Sequence, residues 1–195
     1  CEDTGTLNMV YGRNAYFIEG NKTMAYEIAS QMDPLPDHII VPVGNGSTFQ
    51  GLWLGFKEML EDGRVQRMPR LHGVQSEAFQ PLVHAFNRGD RKASTGAADT
   101  VAIGIKIAEP PRLQALVNAS RDSGGQPVAV TDTAIIAWQR RLSELEGIFV
   151  EPTSATVLAA AETLKQRGVI DEADRVLVSL TGSGFKEPIP ESAGV

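Results

Sequence analysis

Two apolar runs of this 195-residue chain each end in a glycine-rich turn. The first run, residues 39–43, is followed by Gly44-Asn45-Gly46-Ser47-Thr48, here called the 44–48 turn, and then by a helical pattern. The second run, residues 175–180, is followed by Thr181-Gly182-Ser183-Gly184, here called the 181–184 turn. A strand that ends in glycines and enters a helix presents backbone N–H groups that bind phosphate well. Two such turns predict one cofactor crevice at the carboxyl edge of a parallel sheet.

Strand-like and helix-like segments alternate along the rest of the chain. A continuous β-branched run predicts a strand buried on both faces at 39–43, and further strands are predicted at 71–74, 128–130 and 175–180. Helical spacing of apolar residues predicts helices at 23–32, 49–60, 78–86, 100–107, 113–123, 134–145 and 152–166. Residues 14–18 are predicted as a short strand or an extended lead-in, 148–150 as extended and 87–95 as a loop. The pattern predicts an α/β fold, with a doubly wound, mostly parallel sheet and helices on both faces.

Composition and charge argue against several classes of partner. The net charge is −6 and no basic stripe stands out, so we expect no nucleic-acid partner. A single cysteine and three scattered histidines argue against a disulfide framework or a zinc site. We expect the histidines, His38, His72 and His84, on the surface or in loops. No apolar stretch approaches bilayer length and no signal peptide is visible, which predicts a cytoplasmic protein with no membrane partner.

The two turns offer different groups to a ligand. Small residues let the 44–48 turn approach an anion closely, and its two hydroxyls add donors, although a tight turn that binds nothing is the alternative. It is not a dinucleotide fingerprint, because the next glycine is Gly51, and no Gly-Lys-Ser/Thr follows as in a P-loop. Thr181 follows the other strand, where its hydroxyl could hydrogen-bond a ring nitrogen of a ligand or cap its own loop.

Three further segments point to the same predicted edge. Glu151 follows the apolar residues 147–150, so its carboxylate needs a partner, either a ligand or the N–H groups of the following helix. Lys22 either faces the crevice or is solvated, and Thr23 is a candidate N-cap. Residues 75–77, Gln-Ser-Glu, end another apparent strand and therefore lie at the predicted ligand edge.

Five segments, taken in order, resemble the fold type II, or tryptophan-synthase-β-type, enzymes that use pyridoxal phosphate, and among them the threonine synthase family most. They are Glu-Gly-Asn-Lys-Thr at 19–23, Val-Pro-Val-Gly-Asn-Gly at 41–46, Gly-Val-Gln-Ser-Glu at 73–77, Glu-Gly-Ile-Phe-Val-Glu-Pro-Thr-Ser-Ala at 146–155 and Leu-Thr-Gly-Ser-Gly at 180–184. Together they span nearly the whole chain from residue 14 onward. No single segment is diagnostic, but the ordered set is specific.

The resemblance implies pyridoxal 5′-phosphate as cofactor, an amino-acid substrate and, for the full-length protein, a homodimer. The residues that hold the cofactor phosphate would be Gly44, Asn45, Gly46, Ser47 and Thr48, and Thr181 would meet the pyridine nitrogen. A neutral hydroxyl does not keep that nitrogen protonated, so the ring is a milder electron sink, which suits elimination and replacement at the β-carbon. Glu151 would shape the cofactor side of the pocket. The implied activity is that of a lyase converting O-phosphohomoserine to threonine.

The sequence departs from the family at two places. The family's Schiff-base lysine lies in a Ser-Phe-Lys-Asp-type motif, which this sequence does not contain. We therefore expect residues 1–195, which begin with Cys1, to be the carboxyl-terminal part of the cofactor domain, with the lysine upstream and no catalysis without it. The second departure is Phe17, which stands where an arginine helps to hold the substrate phosphate. Phenylalanine cannot bind an anion in this way, although Arg13 could substitute.

Phe17 leaves other functions open. One is cysteate synthesis from phosphoserine and sulfite, and another is replacement chemistry on an unphosphorylated amino acid by a further member of the superfamily. An alternative from a different class is a non-catalytic ligand-binding domain, which would keep the fold but have no lysine to hold the cofactor.

Overall fold

A parallel sheet and the helices that cover it account for most of the described chain. The structure, a computed structural model, describes residues 14–88 and 99–186. Within these residues the strands are His38–Pro42 (β1), Arg70–Ser76 (β2), Val128–Val130 (β3) and Val176–Val178 (β4). The helices are Ala15–Gln31 (α1), Ser47–Glu61 (α2), Pro81–Arg88 (α3), Leu113–Asp122 (α4), Asp132–Glu146 (α5) and Pro152–Gln166 (α6). Short 3-10 turns lie at Ile103–Ile105 and Gly184–Lys186.

The four described strands pair in the order β3-β2-β1-β4, and every pairing is parallel. In register, Ile39 of β1 lies opposite Leu71 of β2 on one side and Leu177 of β4 on the other. Because parallel strands all point the same way, the turns that follow β1 and β4 lie at the same edge of the sheet. These two strands are neighbours, so the 44–48 and 181–184 turns are neighbours as well.

Alternate residues of β1 face opposite sides of the sheet, and each side has its own apolar core. Ile39 packs on one side with apolar residues from α1 to α4, of which Phe56 is fully buried. Ile40 packs on the other side with α5 and α6, through residues such as Ile135 and Val157. Burial on both faces explains the continuous β-branched run of this strand. The predicted α/β fold with helices on both faces of a parallel sheet is confirmed.

Most predicted elements are present with shifted boundaries. The helix predicted at 152–166 is observed as Pro152–Gln166, with the proline in the first turn, where its missing N–H is tolerated. The helix predicted at 100–107 is only the 3-10 turn Ile103–Ile105, because the Asp132 carboxylate accepts the Val101 N–H at 3.0 Å and holds the preceding segment. The loop predicted at 87–95 overlaps the end of α3, and residues 89–95 lie outside the described residues.

The strand or extended lead-in predicted at 14–18 is wrong, because α1 begins at Ala15. The Asn14 side chain accepts the Tyr16 N–H at 2.9 Å, which makes Asn14 the N-cap of this helix. Thr23 is therefore not an N-cap. It lies inside α1, where its hydroxyl donates to the Gly20 carbonyl at 2.8 Å.

The expectation that the histidines lie on the surface or in loops is wrong for His38 and His72. They lie in the adjacent strands β1 and β2 and are 1% and 0% exposed. His38 Nδ1 is 2.9 Å from His72 Nε2, and His38 Nε2 is 3.1 Å from Asp174 Oδ2. His72 Nδ1 lies 3.1 Å from the backbone nitrogen of Gln126. Every ring nitrogen of the pair has a partner, which is why both rings can be buried. His84 is half-buried on α3.

Candidate functional site

A cavity of about 430 Å³ lies at the carboxyl edge of the sheet, where β1 and β4 end. Its wall contains all five residues of the 44–48 turn and also Thr181. The other lining residues come from α1, the end of β1, the start of α6 and the two 3-10 turns: Phe17, Pro42, Gly104, Ile105, Glu151, Thr153 and Lys186. The structure therefore brings the 44–48 turn, Thr181 and Glu151 to one cavity.

The 44–48 turn fits an anion because its backbone can approach one closely. Gly46 has a φ of +80° and is the N-cap of α2, and as a glycine it has no side chain with which to cap the helix. Backbone N–H groups at a helix N-terminus favour an anionic ligand. At Gly44 a Cβ would lie 2.9 Å from the Gly104 carbonyl oxygen, so only glycine fits there. Backbone N–H groups and the hydroxyls of Ser47 and Thr48 are a suitable donor set for a phosphate ester.

The 181–184 turn is built differently. It leads into the 3-10 turn Gly184–Lys186, at which the described residues end. Neither Gly182 nor Gly184 has a positive φ. These glycines are needed for packing, because a Cβ on Gly182 would collide with the Glu151 carboxylate and a Cβ on Gly184 would lie 2.6 Å from the Phe149 ring. This turn therefore offers a ligand the hydroxyl of Thr181.

Thr181 is held from behind by Ser154 of α6. The Thr181 hydroxyl oxygen lies 3.2 Å from Ser154 Oγ, and the Gly182 backbone N–H donates to the same Ser154 oxygen at 2.8 Å. Thr181 is exposed at the cavity, whereas Ser154 is fully buried. The contact fixes Thr181 through a neutral partner, so no charge is placed against its hydroxyl from this side.

Glu151 lines the cavity and is 4% exposed. Its Oε2 accepts a hydrogen bond from Lys186 Nζ at 3.1 Å, and its side chain does not cap α6. The alternative in which the carboxylate bonds the N–H groups of that helix is therefore wrong. The backbone carbonyl of Glu151, and not its carboxylate, accepts hydrogen bonds from this helix, from the Ser154 N–H at 3.0 Å and the Ala155 N–H at 3.1 Å. The ion pair with Lys186 provides the partner that a buried carboxylate needs.

The other residues predicted near the ligand edge do not line the cavity. Lys22 donates to Glu58 at 2.8 Å and pairs with Glu19 at 2.5 Å, and these two carboxylates raise the pKa of Lys22. Its side chain is 13% exposed, so it is neither in the crevice nor freely solvated. Of residues 75–77, the first two are fully buried and hydrogen-bond backbone groups.

Sequence reasoning missed Thr153, Ser154 and Gly104. Thr153 is 5% exposed, and its Oγ1 accepts the Gly104 N–H at 3.0 Å, which ties the 103–105 turn to α6. A signal for the two hydroxyl residues was present, since they open an alanine-rich helix that follows an apolar segment at the predicted edge. Gly104 has no comparable signal, because its partner lies 49 residues further along the chain.

Membrane-spanning helices and metal-binding clusters are both absent from the part of the chain that the structure describes. In residues 14–88 and 99–186, none of the helices combines the length and the apolar character needed to cross a membrane. Over the same two ranges, no group of three or more His, Cys, Asp or Glu residues is arranged to hold a metal ion. The polar groups that the described cavity wall presents are backbone groups, hydroxyls, the Asn45 amide and the Glu151–Lys186 ion pair.

Comparison with known proteins identifies the class to which this fold and cavity belong. A family model described as pyridoxal-phosphate dependent enzyme matches residues 1–182. The chain belongs to this family, and its cofactor is pyridoxal 5′-phosphate. A curated relative from Methanocaldococcus jannaschii, named threonine synthase, is 37% identical over 177 residues, which are 90% of this chain and 44% of that protein. The threonine synthase of Methanosarcina acetivorans is 38% identical over the same shares of both chains. The chain thus spans less than half the length of these relatives.

Two solved structures illustrate which other proteins share the fold. Maize serine racemase aligns with a TM-score of 0.78 and 24% identity, over 94% of this chain and 53% of that one. A threonine deaminase from T.th. aligns with a TM-score of 0.71 and 22% identity, over 91% of this chain and 54% of that one. At these identities the likeness is one of fold, and the fold is that of the fold type II enzymes.

Proposed function

We propose that the cavity is the cofactor site, with the phosphate of pyridoxal phosphate on the 44–48 turn and the ring nitrogen at Thr181. The observation that carries this proposal is that the 44–48 turn and Thr181 line one cavity of about 430 Å³. Backbone N–H groups at a helix N-terminus and hydroxyls suit a phosphate ester, and a hydroxyl suits an unprotonated pyridine nitrogen as its donor. When bound, the cofactor supplies an electron sink for chemistry at the α- and β-carbons of an amino acid.

The activity we propose is that of threonine synthase, in which O-phosphohomoserine loses phosphate and takes up water to give threonine. Its support is the name carried by relatives that are 37% and 38% identical over 90% of this chain. The residues of this chain would bind and orient the cofactor, with Glu151 and Lys186 forming the wall beside Thr181. A lysine must hold the cofactor covalently. We place it upstream of residue 1, in the part of the relatives that this chain does not span, so that residues 1–195 alone would be inactive.

The resemblance to threonine synthases also suggests the oligomeric state and the cellular compartment of the full-length protein. We propose that it is a cytoplasmic homodimer. Sedimentation velocity of the purified protein tests the dimer, and fractionation of the source cells tests the compartment; a monomer or a membrane-associated protein would contradict these two proposals.

A second candidate is replacement chemistry on another substrate, and Phe17 favours it. Phe17 lines the cavity and is 45% exposed, and its ring cannot bind a phosphate as a guanidinium does. Among the described lining residues, the cation is Lys186, and it is paired with Glu151 at 3.1 Å. Such a wall favours an unphosphorylated amino acid as the substrate. In a cysteate synthase reaction, phosphoserine would have to place its phosphate away from Phe17.

Turnover by the full-length protein distinguishes these functions. The protein is loaded with pyridoxal phosphate and given O-phosphohomoserine, and the threonine and phosphate that form are measured. Phosphoserine with sulfite, and homoserine, serve as competing substrates. Formation of threonine supports the threonine synthase function, and product from a competing substrate alone supports the second candidate. A protein that binds the cofactor but turns over none of them would be the ligand-binding domain.

Thr181→Asp tests the placement of the ring in the same assay. A carboxylate at this position would favour a protonated ring nitrogen, and we expect turnover to fall about tenfold or more. Thr181→Ser keeps the hydroxyl and is the matched control, which should retain most of the activity. Unchanged turnover in Thr181→Asp would mean that the ring nitrogen does not lie at Thr181.

A further inference from the structure

Ser154 makes three contacts through a single hydroxyl group. Its Oγ accepts the Gly182 backbone N–H at 2.8 Å, lies 3.2 Å from Thr181 Oγ1 and lies 3.3 Å from the Gly182 carbonyl oxygen. The residue is fully buried near the start of α6 and does not line the cavity. A serine hydroxyl has one proton, so Ser154 donates either to Thr181 or to the Gly182 carbonyl. These two arrangements leave Thr181 with opposite roles.

The direction of the bond between the two hydroxyls sets what Thr181 offers to the cavity. If Ser154 donates to Thr181, the threonine proton is available to a group in the cavity. If Ser154 donates to the Gly182 carbonyl instead, the 3.2 Å contact is a hydrogen bond only when Thr181 donates inward to Ser154, and Thr181 then presents only lone pairs to the cavity. An unprotonated ring nitrogen is a hydrogen-bond acceptor, so only the first arrangement satisfies it and also keeps the hydrogen bond between the two hydroxyls.

The first arrangement forms a chain that starts from a fixed donor. The Gly182 N–H can only donate, and its contact with Ser154 is the shortest of the three. From there each hydroxyl accepts one proton and donates its own toward the cavity, and successive bonds in such a chain polarise one another. The Glu151 carboxylate, which also lines the cavity, is paired with Lys186 at 3.1 Å and so already has a donor.

We propose that Ser154 is a positioning residue that makes Thr181 a hydrogen-bond donor to the pyridine nitrogen of the cofactor. The inference rests on the proposed function, because that function places the ring nitrogen at Thr181. Ser154 acts on the cofactor only through Thr181. The contribution of Ser154 to cofactor affinity should therefore depend on the presence of a nitrogen in the ring.

Binding to the cofactor-free full-length protein tests this dependence. Pyridoxal phosphate and a deaza analogue, in which a C–H group replaces the ring nitrogen, are titrated into the wild type, Ser154→Ala and Thr181→Val. In Ser154→Ala we expect the affinity for pyridoxal phosphate to fall about three- to tenfold, the effect of one hydrogen bond, with little change for the analogue. Ser120→Ala is the matched control, because Ser120 is a fully buried helical serine whose hydroxyl donates to the Leu116 carbonyl at 2.9 Å.

Three outcomes distinguish a failure of the inference about Ser154 from a failure of the proposed ring placement at Thr181. Equal weakening of both ligands in Ser154→Ala would indicate a merely structural serine and overturn the inference. If Thr181→Val discriminates between the ligands and Ser154→Ala does not, the inference fails while the placement of the ring stands. If neither variant discriminates, the ring nitrogen is not at Thr181 and the proposed placement fails.

A spectroscopic readout keeps the inference testable if Ser154→Ala does not fold. The ¹⁵N chemical shift of isotopically labelled cofactor in the wild-type protein reports the protonation state of the ring nitrogen. We expect the shift of an unprotonated, hydrogen-bonded nitrogen. A protonated nitrogen would donate to Thr181, reverse every bond of the chain beyond Gly182 N–H, and overturn the inference.

Discussion

At the scale of single residues, His72 makes the stability of the fold depend on pH, at the edge of the sheet opposite the cavity. His72 is fully buried against His38, near the amino ends of β1 and β2. Burial lowers the pKa of His72 to about 4, the Gln126 carbonyl opposes this effect, and the positive charges of His38 and Arg70 add to it. The folded protein therefore holds His72 in its neutral form at pH values at which an unfolded chain would protonate it.

The free energy of unfolding should fall as the pH drops from about 6.5 to about 4. In this window the unfolded state binds more protons than the folded state, so the stability contributed by neutral His72 is complete above the window and is lost through it. The expected loss is about 1.4 kcal/mol for each pH unit at most, or about 3 kcal/mol in all. Urea unfolding of the wild type and of His72→Asn across this pH range gives the free energy of unfolding as a function of pH. We expect this free energy to fall more steeply with decreasing pH in the wild type. Equal slopes would contradict the assignment to His72.

At the scale of the secondary-structure elements, α3 depends on a side chain from the neighbouring strand β2. The helix begins with Pro81, which has no N–H, and the next two N–H groups, of Leu82 and Val83, lie 2.8 and 3.4 Å from Gln75 Oε1. The amide nitrogen of the same side chain donates to the Val43 carbonyl at 3.1 Å. Gln75 thus caps a helix and also anchors the end of β1, directly before the 44–48 turn.

Replacing Gln75 by methionine keeps the length of the side chain but leaves two buried backbone groups, the Leu82 N–H and the Val43 carbonyl, unpaired. At about 1–3 kcal/mol for each of these two groups, we expect Gln75→Met to lower the free energy of unfolding by about 2–6 kcal/mol. Gln80→Met is the control, because the Gln80 amide donates at the surface to the Glu77 carbonyl at 2.8 Å and should cost less than about 0.5 kcal/mol. Chemical denaturation measures both. A loss in Gln75→Met no larger than in the control would rule out the capping role.

At the scale of the whole molecule, the sheet covered by helices on both faces and the common edge of the two turns were predictable, because both follow from local sequence patterns. Continuous apolar runs identify buried strands and helical spacing identifies the covering helices. Parallel strands then put all their carboxyl ends at one edge. The 44–48 turn and Thr181 could therefore be assigned to one site before any coordinates, and their meeting required only that β1 and β4 be neighbours.

What could not be predicted concerns mainly partners that are distant along the chain. His38 and His72 are 34 residues apart, and neither residue alone indicates that the other will satisfy its ring nitrogen. Ser154 meets Thr181 27 residues later, so its role depends on the packing of α6 beneath the 181–184 turn. The start of α1 is a local error, since an aromatic run suits a strand as well as a helix and the Asn14 cap decides between them.

A ligand that spans the cavity should protect two segments that lie far apart in the sequence. When pyridoxal phosphate is added to the cofactor-free full-length protein, we expect amide hydrogen exchange to slow in both the 44–48 and the 181–184 turns, because all of the first turn and Thr181 of the second line the cavity. At a ligand concentration of about 100 times Kd, the slowing can reach about a hundredfold for amides that exchange only from the unbound protein. The Gln126 amide, which lies against His72 at 3.1 Å, reports the opposite edge and should change less. Protection of one turn without the other would mean that no single ligand bridges β1 and β4, whatever activity the protein has.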